Sequence, residues 1–163
     1  MNERELQRLY AQVVELAKNI PLTDRLEHPD ASVTMVSPLC GSQVSVDLAM
    51  QDRTVSAFGQ KVRACTLGAA AASILGRHVI GKDADELLAL RDTMWRMLKE
   101  DGAPPAGEWA ELAVLEPARD LISRHGSIML VFDGVAEAIC EIQGRTEAHE
   151  AKRGKGIPDT VRA

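Results

Sequence analysis

The stretch Gln43-Val44-Ser45-Val46-Asp47-Leu48-Ala49-Met50-Gln51-Asp52-Arg53-Thr54-Val55 decides the fold. Val44, Val46, Leu48 and Met50 alternate with Gln43, Ser45, Asp47 and Ala49, the period of a strand with one buried face. Upstream, Val33 and Met35, with Leu39 as a weaker member, repeat the pattern, and downstream Val55, Ala57 and Val62 give a less regular third run. Three adjacent period-two segments predict a small antiparallel sheet. Gln51-Asp52-Arg53 is the expected turn between its second and third strands. Asp47 alternates to the outer face and is expected to be solvated.

Cys40 and Cys65 bracket this pair of strands. Their midpoint in sequence falls on the expected turn, so antiparallel pairing returns the chain to its starting point and brings both thiols to one end of the sheet. Gly41 lets backbone come close to whatever the sulfur of Cys40 holds. Cys65 immediately precedes a helix, where free N–H groups and the positive dipole end favour a thiolate. Two thiolates at one sheet end suit a soft or borderline metal, iron or zinc. Against this stands the ordinary fate of free cysteines, which is inert burial. No C-x-x-C pair is present, and Cys140, in the last helix, is expected to be structural.

Helices flank the sheet. Leu6, Leu9, Val13, Leu16 and Ile20 form an apolar stripe over residues 3–20 that Pro21 closes. Residues 21–31 are polar and proline-punctuated, a loop. From Cys65 to Ile80 the chain is alanine-rich, which predicts a helix packed closely on other backbone. Asp83 or Asp85 can cap the next helix, striped by Leu87, Leu90, Met94 and Leu98. Gly102-Ala103-Pro104-Pro105 breaks it, and a short helix with Trp109, Leu112 and Leu115 follows. Ile128, Val131, Val135, Ala138 and Ile142 place a last helix over about Ser127 to Ile142. Residues 1–143 thus form one domain, and 144–163 a charged tail expected to be disordered.

Composition limits the function. The 163 residues carry 45% hydrophobic and 26% charged side chains, ordinary globular values. A net charge of −5 and only five aromatics argue against a nucleic-acid binder. No uncharged run reaches the roughly 18–20 residues of a membrane span. The first residues, Met1-Asn2-Glu3-Arg4-Glu5-Leu6, lack the apolar stretch of a secretory leader. Three cysteines without such a leader argue against a disulfide framework, so a cytoplasmic location is expected.

Several segments together resemble the U-type iron–sulfur cluster assembly scaffolds, which include bacterial sulfur-mobilisation members and the N-terminal domain of nitrogen-fixation U proteins. Glu5-Leu6-Gln7-Arg8-Leu9-Tyr10-Ala11-Gln12-Val13-Val14 is similar to the family's opening helix. Ser37-Pro38-Leu39-Cys40-Gly41-Ser42 is similar to its Asn-Pro-x-Cys-Gly-Asp loop. Ala64-Cys65-Thr66-Leu67-Gly68 through Ser73 resembles its Gly-Cys segment opening a small-residue helix, and Gly81-Lys82-Asp83 resembles the Gly-Lys that follows. The likeness runs over roughly residues 5–142.

The resemblance implies an α+β fold, a three-stranded antiparallel sheet with helices packed on it. It implies a site of three cysteines and an aspartate that holds zinc, iron or a [2Fe–2S] cluster. A cysteine desulfurase would supply sulfur, and apo iron–sulfur proteins would receive the product. The long segment before the last helix resembles the zinc-dependent subgroup, and the chaperone-binding motif Leu-Pro-Pro-Val-Lys is missing.

Two of the four family ligands map onto Cys40 and Cys65. Ser42 replaces the aspartate, and Ser127 falls where the third cysteine opens the last helix. Serine is a poor soft-metal ligand and cannot carry a persulfide. His125 is the candidate replacement ligand, its alternative being a solvent-facing histidine that flanks the helix. The expected role of Ser127 is N-cap of that helix. The leading function is therefore a scaffold or carrier that binds iron, zinc or a [2Fe–2S] cluster and passes it to acceptors. Its competitors are a persulfide sulfur-transfer protein and a metal-free relative that regulates a desulfurase.

Overall fold

The computed structural model describes residues 2–155. The three strands are β1 (Ala31–Val36), β2 (Gln43–Gln51) and β3 (Thr54–Arg63), paired antiparallel in the order β1-β2-β3. Helices α1 (Glu3–Lys18), α2 (Thr66–His78), α3 (Ala84–Lys99) and α4 (His125–Lys155) complete the fold, with a 3₁₀ segment over Gly107–Asp120 and a short 3₁₀ turn at Ile122–Arg124. This is the α+β arrangement expected from the sequence.

The hairpin closes where the sequence places it. Gln51 pairs with Thr54, leaving Asp52 and Arg53 as the turn, and Asp52 takes φ +59°. Aspartate is among the few non-glycine residues that enter this region readily. The irregular third run has a physical cause. Register shifts between Ala49 and Met50, with Ala49 opposite Ala57 and Met50 opposite Val55, so Ser56 is the extra residue of a bulge. The bulge changes the phase of β3: Val55 is buried on one side of it, Phe58 and Gln60 on the other.

Val44, Val46 and Leu48 are fully buried on the face that α4 covers, where Gly134 lies against Val46. Ile128, Phe132, Ile139 and Met94 continue that core. In α2 every residue from Gly68 to Gly76 is buried, which explains its run of small side chains: α1, α4 and the 3₁₀ segment all pack around it. Asn2 and Glu5 form a capping box at the start of α1, and Asp83 caps α3 through the Asp85 amide.

The opposite face of the sheet departs from expectation. Asp47 is not solvated but completely buried. Residues 21–30 cross that face, the Leu22 carbonyl accepts from the Gln60 amide, and the backbone at Asp24 presses against Gly59. Arg25 then grips Asp47 through Nε at 2.6 Å and a second nitrogen at 2.9 Å, while the Leu26 amide and the Ser32 hydroxyl complete the carboxylate's shell. Leu39 is no strand residue; it lies in the β1–β2 loop, 78% exposed. Cys140 is exposed on α4 and plays no part in the core. The last helix starts at His125 and continues through Lys155, beyond the stripe that ends at Ile142. The expected tail therefore begins as helix, and 156–163 lie outside the described residues.

Candidate metal centre

Three chain segments meet at the sheet end opposite the hairpin turn. In the β1–β2 connection the Ser37 amide donates to the Ser42 carbonyl and the Gly41 amide to the Ser37 carbonyl, both at 2.8 Å. Gly41 takes φ +71°, a conformation that a side chain would strain. The turn leaves Cys40 exposed at its tip. Gln43 pairs with Arg63, so Ala64 and Cys65 emerge beside Ser42, as antiparallel pairing requires. Cys65 is the N-cap residue of α2 and is half-buried.

The third segment is the first turn of α4. A Cβ added to Gly68 of α2 would lie 2.5 Å from Ser127 Oγ and 2.8 Å from its carbonyl oxygen, so glycine is what lets these two helix starts touch. Ser127 is thereby not the N-cap of α4, which begins two residues earlier. Its hydroxyl instead donates to Ser42 Oγ at 3.0 Å and accepts from Cys65 Sγ at 3.3 Å. Cys40 Sγ in turn donates to Ser42 Oγ at 3.0 Å. The two thiols are thus joined through two hydroxyls, Cys40–Ser42–Ser127–Cys65. Both serines are buried.

The Cys40 thiol is drawn down to about 7 by the Ser42 hydroxyl, then by Ser37 and the Ser42 amide, with a smaller contribution from the nearby charge of Arg124; desolvation opposes them. Hydrogen bonds to a sulfur favour its anion. Ser37 and Arg124 are the site residues that period and spacing do not reveal. A serine before Pro38 and an arginine just ahead of the last helix were their only traces.

His125 is placed differently from the sequence expectation. It neither faces solvent nor joins the thiols. Its ring is 2% exposed, with Nε2 at 3.0 Å from the carbonyls of both Ala118 and Arg119. Nε2 therefore carries the hydrogen, and Nδ1 is buried without a hydrogen-bond partner. Among the described residues no three His, Cys, Asp or Glu side chains gather as metal ligands. The donor set at the sheet end is two thiols and the hydroxyls of Ser37, Ser42 and Ser127.

Comparison with known proteins bears on what this end is for. No family model matches the chain. Over 129 residues it is 26% identical to the iron–sulfur cluster assembly scaffold protein IscU of Streptococcus pyogenes serotype M1, covering 77% of this chain and 80% of that one. A protein crystallised as a candidate SUF-system iron–sulfur cluster assembly scaffold from thermophilic Fervidobacterium islandicum AW-1 shares the fold at 13% identity, with a TM-score of 0.74 over 82% of this chain and 98% of that one. The crystal structure of a nitrogen-fixing NifU-like protein (N-terminal) from Brucella abortus matches at 45% identity and TM-score 0.83, covering 86% of this chain and 98% of that one. At 45% identity and a TM-score of 0.83 over 86% of its length, this chain belongs with that protein to the NifU-like N-terminal family of U-type iron–sulfur cluster assembly scaffolds.

Proposed function

We propose that this chain is a scaffold or carrier in iron–sulfur cluster assembly, that Cys40 and Cys65 are its cargo ligands, and that the cargo is iron, zinc or a [2Fe–2S] cluster. The observation that carries the reading is the convergence of these two thiols at one end of the sheet, linked through Ser42 and Ser127. Thiolates are the ligands that iron and zinc take from such a site, whereas neutral serine hydroxyls are weak donors to either. A site so incompletely furnished suits cargo that is handed on, because an open coordination position lets an acceptor's ligand enter before the donor's leaves. The proposed partners are a cysteine desulfurase and apo iron–sulfur proteins in the cytoplasm. No helix among the described residues is long and apolar enough to cross a membrane.

The lowered pKa of Cys40 favours a second role within the same reading. As a thiolate it could attack the outer sulfur of a desulfurase persulfide, forming a new S–S bond while the desulfurase thiolate departs.

Anaerobic reconstitution with ferric iron and sulfide tests the main reading. Thiolate-to-iron charge-transfer absorbance is expected in the wild type, lost in Cys40→Ala and in Cys65→Ala, and kept in His125→Ala and Cys140→Ala. A wild-type protein that stays colourless and holds neither iron nor zinc would overturn it.

A further inference from the structure

The sheet runs β1-β2-β3, so β1 has a neighbouring strand on one side only. The Ser37 amide donates to the Ser42 carbonyl, which fixes the phase of the ladder. Val33 and Met35 turn their backbone groups to β2, and Ser32, Thr34 and Val36 turn theirs away. Among the described residues no other segment's backbone pairs with those three. Proteins blunt such an edge with charged side chains, proline or a bulge. Ala31–Val36 has no charge and no proline, and its register with β2 is unbroken.

A groove of about 470 Å³ adjoins this strand, lined by Met35 of β1, by Leu88 and Arg91 of α3, and by Ala136 of α4. Asp92, Asp133 and Glu137 also line it, three carboxylates against one guanidinium. Arg91 is already held by Asp133 at 2.8 Å and reaches Asp92 at 3.5 Å. Glu137 has no ion-pair partner among the described residues.

We infer that the open edge and this groove together dock an extended, basic segment of a partner protein, which adds a fourth strand to the sheet beside β1. Backbone hydrogen bonds to Ser32, Thr34 and Val36 hold the segment, and the alternate side chains that enter the groove select it. Lysine or arginine stems lie over Met35, Leu88 and Ala136 while their charged ends meet Glu137 and Asp92. An acidic segment meets three like charges instead. β1 leads into the loop that carries Cys40, so the docked segment ends next to that loop. The docking does not depend on whether Cys40 and Cys65 carry cargo.

The test titrates the full chain, at low salt, with the end-capped peptide Val-Lys-Val-Lys-Val-Lys-Val. Saturable binding is expected, with amide NMR shifts at Ser32, Thr34 and Val36. Cys140, which lines the groove, should alkylate more slowly, read site by site by mass spectrometry. Glutamate in place of the three lysines should weaken binding about tenfold or more, and Glu137→Gln should weaken the lysine peptide about threefold. Methylation of the peptide's backbone nitrogens should abolish binding. Equal affinity for the lysine and glutamate peptides would overturn the basic partner, and a methylated peptide that binds as well would overturn the strand addition. The absence of saturable binding would overturn both, whether the edge stays free or a second copy of the chain takes it in a concentration-dependent dimer.

Discussion

Ser127 and Ser42 lie 85 positions apart in sequence and 3.0 Å apart in space, and each also holds one of the two thiols. A serine pair thus occupies the interior of a site whose outer members are sulfur. The hydroxyls can turn. With Cys40 neutral, its S–H points to Ser42; once Cys40 ionises, the Ser42 hydroxyl points back and stabilises the anion.

That reversal makes the pH profile of Cys40 a direct readout. In a Cys65→Ser, Cys140→Ser background, alkylation by iodoacetamide should rise through a midpoint at about 7. Ser42→Ala removes the largest stabilising hydrogen bond and should move the midpoint up towards the ordinary thiol value of about 8.5. An unchanged midpoint would mean that Ser42 does not hold the thiolate.

Replacing Ser127 by cysteine should add a soft ligand at a position already within hydrogen-bonding distance of Cys65 and Ser42. Three thiolates and a water make an ordinary zinc shell. Zinc affinity, measured by competition with a chromophoric chelator, is expected to rise roughly tenfold or more, equivalent to ~1.4 kcal/mol. Ser127→Ala should leave zinc affinity near that of the wild type.

Gly68→Ala tests the contact that positions Ser127. On a free helix surface this substitution would stabilise by about 0.5–1 kcal/mol. Here the new methyl meets the Ser127 carbonyl at 2.8 Å as well as its hydroxyl, and the backbone oxygen cannot rotate away. Overpacking should win, with a net loss of about 1–3 kcal/mol in chemical denaturation. Any stabilisation would show that α2 and α4 are further apart than this contact requires.

The Arg25–Asp47 lock predicts acid sensitivity. Burial pushes the Asp47 carboxyl up, but the Arg25 and Ser32 hydrogen bonds, the Leu26 amide and the Arg25 charge together outweigh it and hold the group below its usual range. A carboxyl depressed by folding lends stability above its unfolded pKa, about 3.9, and loses it as pH falls through the lower folded value. Thermal melting between pH 7 and pH 2 should therefore show a decline below about pH 4 that is shallower in Asp47→Asn. The substitution should also lower stability at pH 7 by about 1–3 kcal/mol, through hydrogen bonds no longer made to a buried group. Equal slopes for the two proteins would remove Asp47 from the acid response.

Period and turn position made the sheet legible before any coordinates: Val44, Val46 and Leu48 declare the buried face, and the midpoint between Cys40 and Cys65 declares the shared end. What stayed hidden depends on non-local geometry. Asp47 reads as solvated because a strand's pattern carries no sign of a loop, residues 21–30, that returns across its outer face. His125 reads as a ligand because ring orientation is set by carbonyls at Ala118 and Arg119, in a 3₁₀ segment with no ligand pattern of its own. Ser127 reads as a cap because helix starts are uncertain by a residue or two, and here that small offset turns its hydroxyl from the helix onto the thiols. Cys140 reads as structural because it lies in the last helix, away from the loops that carry the other two thiols, and the sequence does not show that its own position on that helix is exposed.

The serine-to-serine hydrogen bond also bears on how this site can change over evolutionary time. Losing either hydroxyl removes one of the other's two partners and leaves it only its thiol, in a buried place, so the effects of substitutions at 42 and 127 are coupled. A lineage moving between a sulfur-rich and a sulfur-poor version of the site would find the effect of each change conditioned by the residue already standing at the other position.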